Sequence, residues 1–543
     1  MTNRNHGWIW LALALAAGPF RAVADDYPRQ PGIDIQHYVL RVALNDENDE
    51  IAGHATVTVR FVKDGLAEFW LDLASPKSGK GMTVTDVSMG DISLRYTQQI
   101  DRLTMKLQTP SKAGDVRHYD IQYHGIPAGG LKTVTNKYGE RCFFSVNWPV
   151  MARQWLPMID HPSDKATSEF LVTAPSRYQV VANGALVEQI DVGDGRRMTH
   201  WKQSQPIASW LNGIGVAQFA VRHFATVAGV PLDTWVFHQD RDAGIASLET
   251  PMRQALEFLS DAVGTYPYEK LDSVEAAGMT GGMEHASEAF YGEKAFGGRG
   301  LAGTVWHEVS HQWFGDSVTE KDWDDAWLSE GFATYFASLA QEHIEGHDAF
   351  VASMKRSRAA ILAAEKRAPP EAVVHDNLPE IADGRAPGAV VYQKGAWTLH
   401  MLRGAAGNER FRVGIREYYR RFRDANASTA DFRQVMEEAT GSDLAWFFQQ
   451  WLYRAGSPSV EGTWTYNAAG KKIELDLAET QAGDVYRLPI DVAVSAQGSP
   501  VRIEKIELNS KRQTFEIAAP AEPASVELDP DAWVLMDVKF AKK

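Results

Sequence analysis

The 543-residue chain has one cysteine, no excess of basic residues and no long apolar run beyond its N-terminal segment. A single cysteine, Cys142, excludes an internal disulfide, so core burial or a bound metal must hold the fold together. With no later run of eighteen apolar residues, we expect no stable insertion into a membrane. The net charge of −15 argues against nucleic acid as a partner, because phosphate contacts need clustered Lys and Arg.

The first residues have the features of a secretory signal. Arg4 precedes the ten-residue apolar run WIWLALALAA (8–17), Gly18-Pro19 then breaks any helix, and Ala22-Val23-Ala24 offers a cleavage site. We therefore expect residues 1–24 to be a signal peptide cleaved near Ala24. The expected location is the periplasm or the external medium.

Hydrophobic patterning divides the rest of the chain into three, and predicts a multidomain α+β fold. Alternating segments such as HYVLRVAL (37–44) predict an N-terminal domain of antiparallel strands, of the β-sandwich type, over residues 25–222. Residues 223–455 show helical spacing, with Pro251 suited to a first helical turn and Asp324 or Asp325 to an N-cap. Gly456-Ser457-Pro458 then introduces a small β domain over residues 456–543.

The segment HEVSH (307–311) carries two histidines four residues apart. On a helix they lie about 40° apart around the axis and about 6 Å along it, so both rings can reach one ion. Glu308 projects about 100° away from His307, where its carboxylate can touch a water on the metal without binding the metal. Two histidines on one helix face are otherwise common as surface or core residues, so the motif needs a third ligand.

Glu330 supplies that ligand, because eighteen residues separate it from His311 within WLSEGFATYF. A second helix returning antiparallel would present its carboxylate to the same ion. Three protein ligands leave a position for water, as in catalytic sites. The mixed nitrogen and oxygen ligands favour one Zn2+ per chain.

Four segments together resemble the aminopeptidase N family of zinc metallopeptidases, gluzincins that also include leukotriene hydrolase. They are GGMEH (281–285), HEVSH, Glu330 and VYQKGAWTLHML (391–402), and ARQWLPMIDHPSDKA (152–166) resembles a further family segment. The resemblance implies the short three-domain form of the family. In it, a thermolysin-like, mostly helical catalytic domain lies between an N-terminal and a small C-terminal β-sandwich.

The resemblance also implies roles, position by position. His307, His311 and Glu330 correspond to the zinc ligands, Glu308 to the general base and Tyr392 to the tyrosine that stabilises the oxyanion. Glu284 corresponds to the glutamate that binds the substrate's free α-amino group, and Gly281 and Gly282 let the backbone approach the substrate. The implied substrates are short peptides with a free N-terminus.

The chain departs from the family pattern at two places. His285 replaces the usual asparagine after Glu284. In FFSVNWPVMAR (143–153), Val146, Asn147 and Trp148 stand where many members carry Gln or Glu as a second amine anchor, and Asn147 is the one residue there able to hydrogen-bond an amine.

Three alternatives stay open on the sequence. They are a thermolysin-like endopeptidase, an epoxide hydrolase of the leukotriene hydrolase kind, and a non-catalytic binding protein on the same fold. Glu284 argues against the first, because an endopeptidase has no ammonium to bind. The side-chain preference and the oligomeric state are not determined by the sequence.

Overall fold

A computed structural model describes residues 25–296, 300–379, 388–496, 498 and 500–543. The predicted signal peptide lies outside these residues. Among the helices described, none is both long and apolar enough to cross a membrane.

Three sheets form the N-terminal domain. The largest has the order β13-β14-β11-β1-β2-β8-β4-β5, and the smaller ones are β3-β7-β6 and β12-β15-β10-β9. The strands are β1 Ile33–Ala43, β2 Ile51–Phe61, β3 Glu68–Asp72, β4 Gly81–Met89, β5 Ile92–Ser93, β6 Tyr96–Gln99, β7 Arg102–Lys106, β8 Val116–Ile126, β9 Leu131–Thr135, β10 Arg141–Ser145, β11 Ala166–Pro175, β12 Gln179–Ala182, β13 Ala185–Gly193, β14 Arg196–Ile207 and β15 Ile214–Ala217.

Alternating burial along the strands builds the core between these sheets. Phe69 of β3 packs edge-on against Phe61 of β2 and Tyr119 of β8, with ring centroids 5.9 and 4.9 Å apart. One pair departs from the predicted antiparallel arrangement, since β1 and β11 run parallel. The long stretch of chain between them makes this possible, whereas a hairpin turn would force antiparallel pairing.

The middle domain combines a five-stranded sheet, of order β16-β17-β18-β20-β19, with eight α-helices among the described residues. The strands are β16 Phe219–Val227, β17 Val230–Phe237, β18 Leu271–Ala276, β19 Gly282–Met283, β20 Glu288–Gly292, and a small pair β21 Val318–Glu320 and β22 Ala425–Ala427. The helices are α1 Arg241–Ala262, α2 Leu301–His311, α3 Trp327–Glu345, α4 His347–Glu365, α5 Gly395–Ala406, α6 Asn408–Phe422, α7 Thr429–Thr440 and α8 Ala445–Leu452, with a π-helix at Gly388–Lys394.

The chain passes from one domain to the next between β15 and β16. The sheet changes after Ala217, so the predicted boundary at 222 falls inside β16. Pro251 lies in the middle of α1 rather than in its first turn, and that expectation was wrong. The helix begins earlier because Ile245 and Leu248 bury the same face as Met252.

Helices α2 and α3 lie side by side, as the ligand spacing requires. Beneath them Phe314 contacts Phe332 and Phe336, with each pair of ring centroids 4.8 Å apart. The residue before α3 is Ala326, so the predicted cap at Asp324 or Asp325 is wrong. A 3-10 turn at Trp323–Asp325 leads into the helix, and the Asp325 carboxylate instead accepts hydrogen bonds from Thr429.

The C-terminal domain packs a four-stranded sheet, β27-β24-β23-β29, beside a three-stranded sheet, β26-β25-β28. The strands are β23 Ser459–Asn467, β24 Lys472–Glu479, β25 Leu488–Ser495, β26 Arg502–Leu508, β27 Arg512–Ala518, β28 Ser525–Leu528 and β29 Asp537–Lys542. The domain contacts the middle domain where His400 donates to the Ala532 carbonyl and stacks on Trp533. The multidomain α+β prediction is confirmed.

Candidate metal and peptide site

The two histidines of HEVSH lie in the last turn and a half of α2, where their rings converge. The Nε2 atoms of His307 and His311 are 3.0 Å apart. The ring of His311 is oriented by contacts at Nδ1, which lies 3.2 Å from both the Phe314 carbonyl and the Ser329 hydroxyl. When the neutral ring carries its proton on Nδ1 and donates it to the carbonyl, the lone pair of Nε2 is free for a metal.

Glu330 projects from the first turn of α3 toward both rings. Its Oε2 is 3.3 Å from His307 Nε2 and 3.2 Å from His311 Nε2. Tetrahedral zinc with bonds of 2.0–2.1 Å places its ligand atoms about 3.3 Å apart, so the three atoms fit one ion. Glu330 Oε2 is buried and accepts no hydrogen bond from the described residues, which is what a metal-facing oxygen requires.

Tyr392 reaches the same point from the π-helix. Its hydroxyl donates to Glu330 Oε1 at 2.8 Å, and its ring lies parallel to that of His307. Burial and the nearby carboxylates raise the pKa of Tyr392 well above its ordinary value. The phenol therefore stays protonated and remains a hydrogen-bond donor beside the metal position.

Glu308 lines the same cleft and faces residues 281–287, the substrate loop that the family resemblance implies. A Cβ atom added at Gly282 would lie 2.1 Å from Glu308 Oε1, so only glycine lets the loop approach this carboxylate. Burial, followed by the charge of Glu284, raises the pKa of Glu308 well above its ordinary value. A carboxylate with a raised pKa is suited to accept and return a proton near neutral pH.

Glu284 lies beside Glu308 and His311, with one polar atom of each within 4.8 Å of the others. Its side chain is 5% exposed, and Oε1 has no hydrogen-bond partner within the described part of the chain. Burial raises its pKa to about 7. An unpaired buried carboxylate is costly, and a ligand cation would pair with it.

These residues line a cleft of about 540 Å³, whose other lining residues include Thr280, Gly281, Gly300 and Thr304. The structure thus brings together all eight predicted site residues: Gly281, Gly282, Glu284, His307, Glu308, His311, Glu330 and Tyr392.

Asn147 does not join them. Its Nδ2 donates to the Asn212 carbonyl at 2.5 Å, and its Oδ1 accepts from Trp155 Nε1 at 2.9 Å. The side chain is fully buried, with both ends of the amide engaged in hydrogen bonds, so this amide is not available to a substrate amine.

Two other amides, not singled out from the sequence, contact the backbone of the substrate loop. Gln312 lies directly after the second histidine, and Asn183 belongs to the N-terminal domain. The position of Gln312 beside the metal motif was the one signal available for it. Nothing local in the sequence pointed to Asn183.

Comparison with known proteins gives two family matches. The Peptidase family M1 domain matches residues 247–451, and the Peptidase M1 N-terminal domain matches residues 35–211. Together they cover more than half of the chain.

Among curated relatives, the rat glutamyl aminopeptidase is 25% identical over 472 residues, which is 81% of this chain and 49% of that protein. Probable aminopeptidase 1 of Sulfurisphaera tokodaii is 27% identical over 390 residues, or 66% of this chain and 48% of that one. The chain therefore spans about half the length of the curated relatives it matches.

A solved structure shares the fold over a greater part of its length. The M1 zinc metallopeptidase from Deinococcus radiodurans superposes with a TM-score of 0.67 at 25% identity. The match covers 78% of this chain and 93% of that one.

Proposed function

Because the chain belongs to peptidase family M1, we propose that it is a zinc-dependent aminopeptidase that releases N-terminal residues from short peptides. The observation that carries the proposal is the buried Glu284 carboxylate, whose Oε1 has no hydrogen-bond partner among the described residues, beside three convergent metal ligands. The metal ligands indicate hydrolysis, and the carboxylate indicates a substrate with a positive charge next to the scissile bond.

Zinc is the cofactor that fits His307, His311 and Glu330, as the spacing of their ligand atoms supports. When bound, the ion lowers the pKa of a coordinated water and polarises the substrate carbonyl. The chain keeps Glu330 Oε1 occupied by the Tyr392 hydroxyl, so Oε2 is the oxygen left for the metal.

Glu308 acts as the general base and then as the general acid. Its carboxylate takes a proton from the attacking water and delivers that proton to the departing amine nitrogen, so the peptide bond breaks without net change in Glu308. Its burial against the Gly282 backbone keeps bulk water from competing for the proton.

Tyr392 stabilises the negative charge that develops on the carbonyl oxygen. Its protonated hydroxyl already lies at the edge of the metal position, and a donor aimed at developing charge lowers the barrier more than one aimed at the ground state.

Glu284 sets the exopeptidase preference. A free α-ammonium pairs with its carboxylate, whereas an acylated or internal amide would leave that buried charge unpaired. Residues 146–148, where many family members carry a second anchor, contain no carboxylate, so we assign the binding of the amine to Glu284.

The proposal is tested with alanine p-nitroanilide and its N-acetyl counterpart, assayed before and after treatment with a chelator. We expect cleavage of the free amine only, with a preference of at least about 100-fold. The chelator should abolish it, and added zinc should restore it. Equal cleavage of the acetylated substrate would indicate an endopeptidase, and Glu284→Gln should move the enzyme toward that behaviour.

We further propose that the protein is exported, on the strength of the signal features in residues 1–24. N-terminal sequencing of the protein recovered from its native cells should begin at or near Asp25. Recovery of a chain that still begins at Met1 would contradict export by cleavage.

A further inference from the structure

Gln312 is the residue directly after His311, and its buried amide bridges the end of the metal-binding helix to the substrate loop. Its Nε2 lies 3.4 Å from the Glu284 carbonyl and 3.3 Å from the His285 carbonyl, and it donates to Asp316 Oδ2 at 2.8 Å. On the other side of the amide, Oε1 accepts from the Ser287 backbone N–H at 2.8 Å.

The same loop is held from the N-terminal domain. Asn183 Nδ2 donates to the Ala286 carbonyl at 2.7 Å, and the Gly184 backbone N–H donates to the Ser287 hydroxyl at 2.7 Å. The backbone of residues 284–287 is therefore fixed on two sides, and Ser287 is held there with a φ of +68°.

These contacts to the loop backbone matter because few hydrogen bonds hold the Glu284 side chain itself. Its Oε1 makes no hydrogen bond with the described residues, so no protein donor orients the carboxylate at that oxygen. The place of the carboxylate relative to the metal ligands is then set by where the loop backbone is held. Gln312 makes that connection over the shortest path, since it adjoins the ligand His311 in the chain.

We propose that Gln312 is a positioning residue that sets the distance between the amine anchor Glu284 and the metal ligands, and so determines the affinity for substrates with a free α-amino group. The inference rests on the proposed aminopeptidase function. The metal site itself should not depend on Gln312, because His311 is oriented by Phe314 and Ser329.

Two ligands that differ only in the amino group test this. L-leucine hydroxamate offers a metal-binding hydroxamate and an ammonium, and 4-methylpentanohydroxamic acid offers the hydroxamate alone. Their dissociation constants are measured by calorimetry on the zinc-loaded protein, with zinc per chain determined on the same samples. Wild type should bind the amino compound more tightly, and Glu284→Gln marks the loss of that preference.

In Gln312→Met, the dissociation constant of leucine hydroxamate should rise by about tenfold or more, because the Glu284 carboxylate is displaced from the position in which it pairs with the ammonium. The amine-free hydroxamate should change by less than about twofold, and zinc content should stay at the wild-type value. If Gln312→Met does not fold, Gln312→Asn serves instead, since its shorter amide keeps a neutral polar group there but no longer reaches the loop carbonyls.

Tyr266→Phe is the matched control. The Tyr266 hydroxyl lies 3.0 Å from Gln312 Oε1, but it does not contact the loop carbonyls, so the preference for the amine should persist. Equal weakening of both hydroxamates, or an unchanged preference in Gln312→Met, would overturn the role of Gln312. If wild type itself shows no preference for the amino compound, the proposed function fails instead.

Discussion

Two clusters in this molecule contain the same kinds of residue and differ in what those residues face. His307, His311 and Glu330 form one, and Asp25, His161 and Asp322 form the other, each with its polar atoms within 4.8 Å. In the second cluster Arg29 Nη1 donates to His161 Nδ1 at 2.9 Å, and His161 Nε2 donates to Asp25 Oδ2 at 2.7 Å.

The guanidinium group accounts for the difference. Arg29 also pairs with Asp322, so the second cluster contains its own cation and both nitrogens of its imidazole are already engaged. In the first cluster the two Nε2 atoms and Glu330 Oε2 face one another, and no Lys or Arg of the described residues pairs with Glu330. Histidine and carboxylate proximity is therefore a weak sign of a metal site. Convergent, unsatisfied lone pairs are a strong one.

The largest difference in kcat between variants of the two clusters should come from Glu308→Gln, a change beside the first cluster. We expect kcat to fall by about 10³-fold, because the amide cannot accept the proton, while zinc content stays unchanged. The matched change in the second cluster, Asp25→Asn, should leave kcat within about twofold of wild type. Substantial turnover in Glu308→Gln, measured with alanine p-nitroanilide, would remove Glu308 from the mechanism.

A smaller loss should follow from Tyr392→Phe, which removes one hydroxyl at the first cluster. We expect kcat to fall by about 10²-fold with little change in KM, since the donor acts on charge that develops in the transition state. Tyr27→Phe is the matched control, because it removes one hydroxyl at the second cluster, where the Tyr27 ring stacks on His161 and the hydroxyl donates to Asp72. A rise in KM alone for Tyr392→Phe would show that it binds substrate and does not stabilise the oxyanion.

The sequence was sufficient for the first cluster and insufficient for the second. The ligands of the first cluster lie on two neighbouring helices, and the i, i+4 spacing and the periodicity of α3 are local signals. The second cluster joins Asp25 to His161 across 136 residues, and no local pattern encodes that contact. For the same reason the predicted boundary at 222 divides β16, since alternation marks a strand but not the sheet it joins.

His161→Phe should lower the free energy of unfolding and leave the zinc content unchanged. The phenyl ring keeps the stacking on Tyr27 but leaves the Asp25 carboxylate and one Arg29 donor without their partner, which costs about 2 kcal/mol. Denaturant unfolding measures the loss. His54→Phe is the control, because the exposed His54–Asp120 pair is worth little. Equal losses for the two variants would contradict a structural role for the second cluster.

A weaker effect of the second cluster should appear on acidification. Burial lowers the pKa of His161 below its ordinary value, although the hydrogen bond with Asp25 opposes this. The unfolded chain therefore binds a proton near pH 6.5 that the folded chain does not, so stability is complete above that pH and is lost as pH falls below it. Between pH 7 and 5, with zinc present, the Tm of wild type should fall further than that of His161→Phe. An equal fall in Tm for the two proteins would contradict the claim that His161 is neutral in the folded chain.

The most direct test of the comparison is the number of zinc ions per chain in wild type, His307→Gln and His161→Phe, measured by atomic absorption after dialysis. The account predicts one ion in wild type, none in His307→Gln and one in His161→Phe. Retention of the ion in His307→Gln together with its loss in His161→Phe would place the metal in the other cluster and contradict the account.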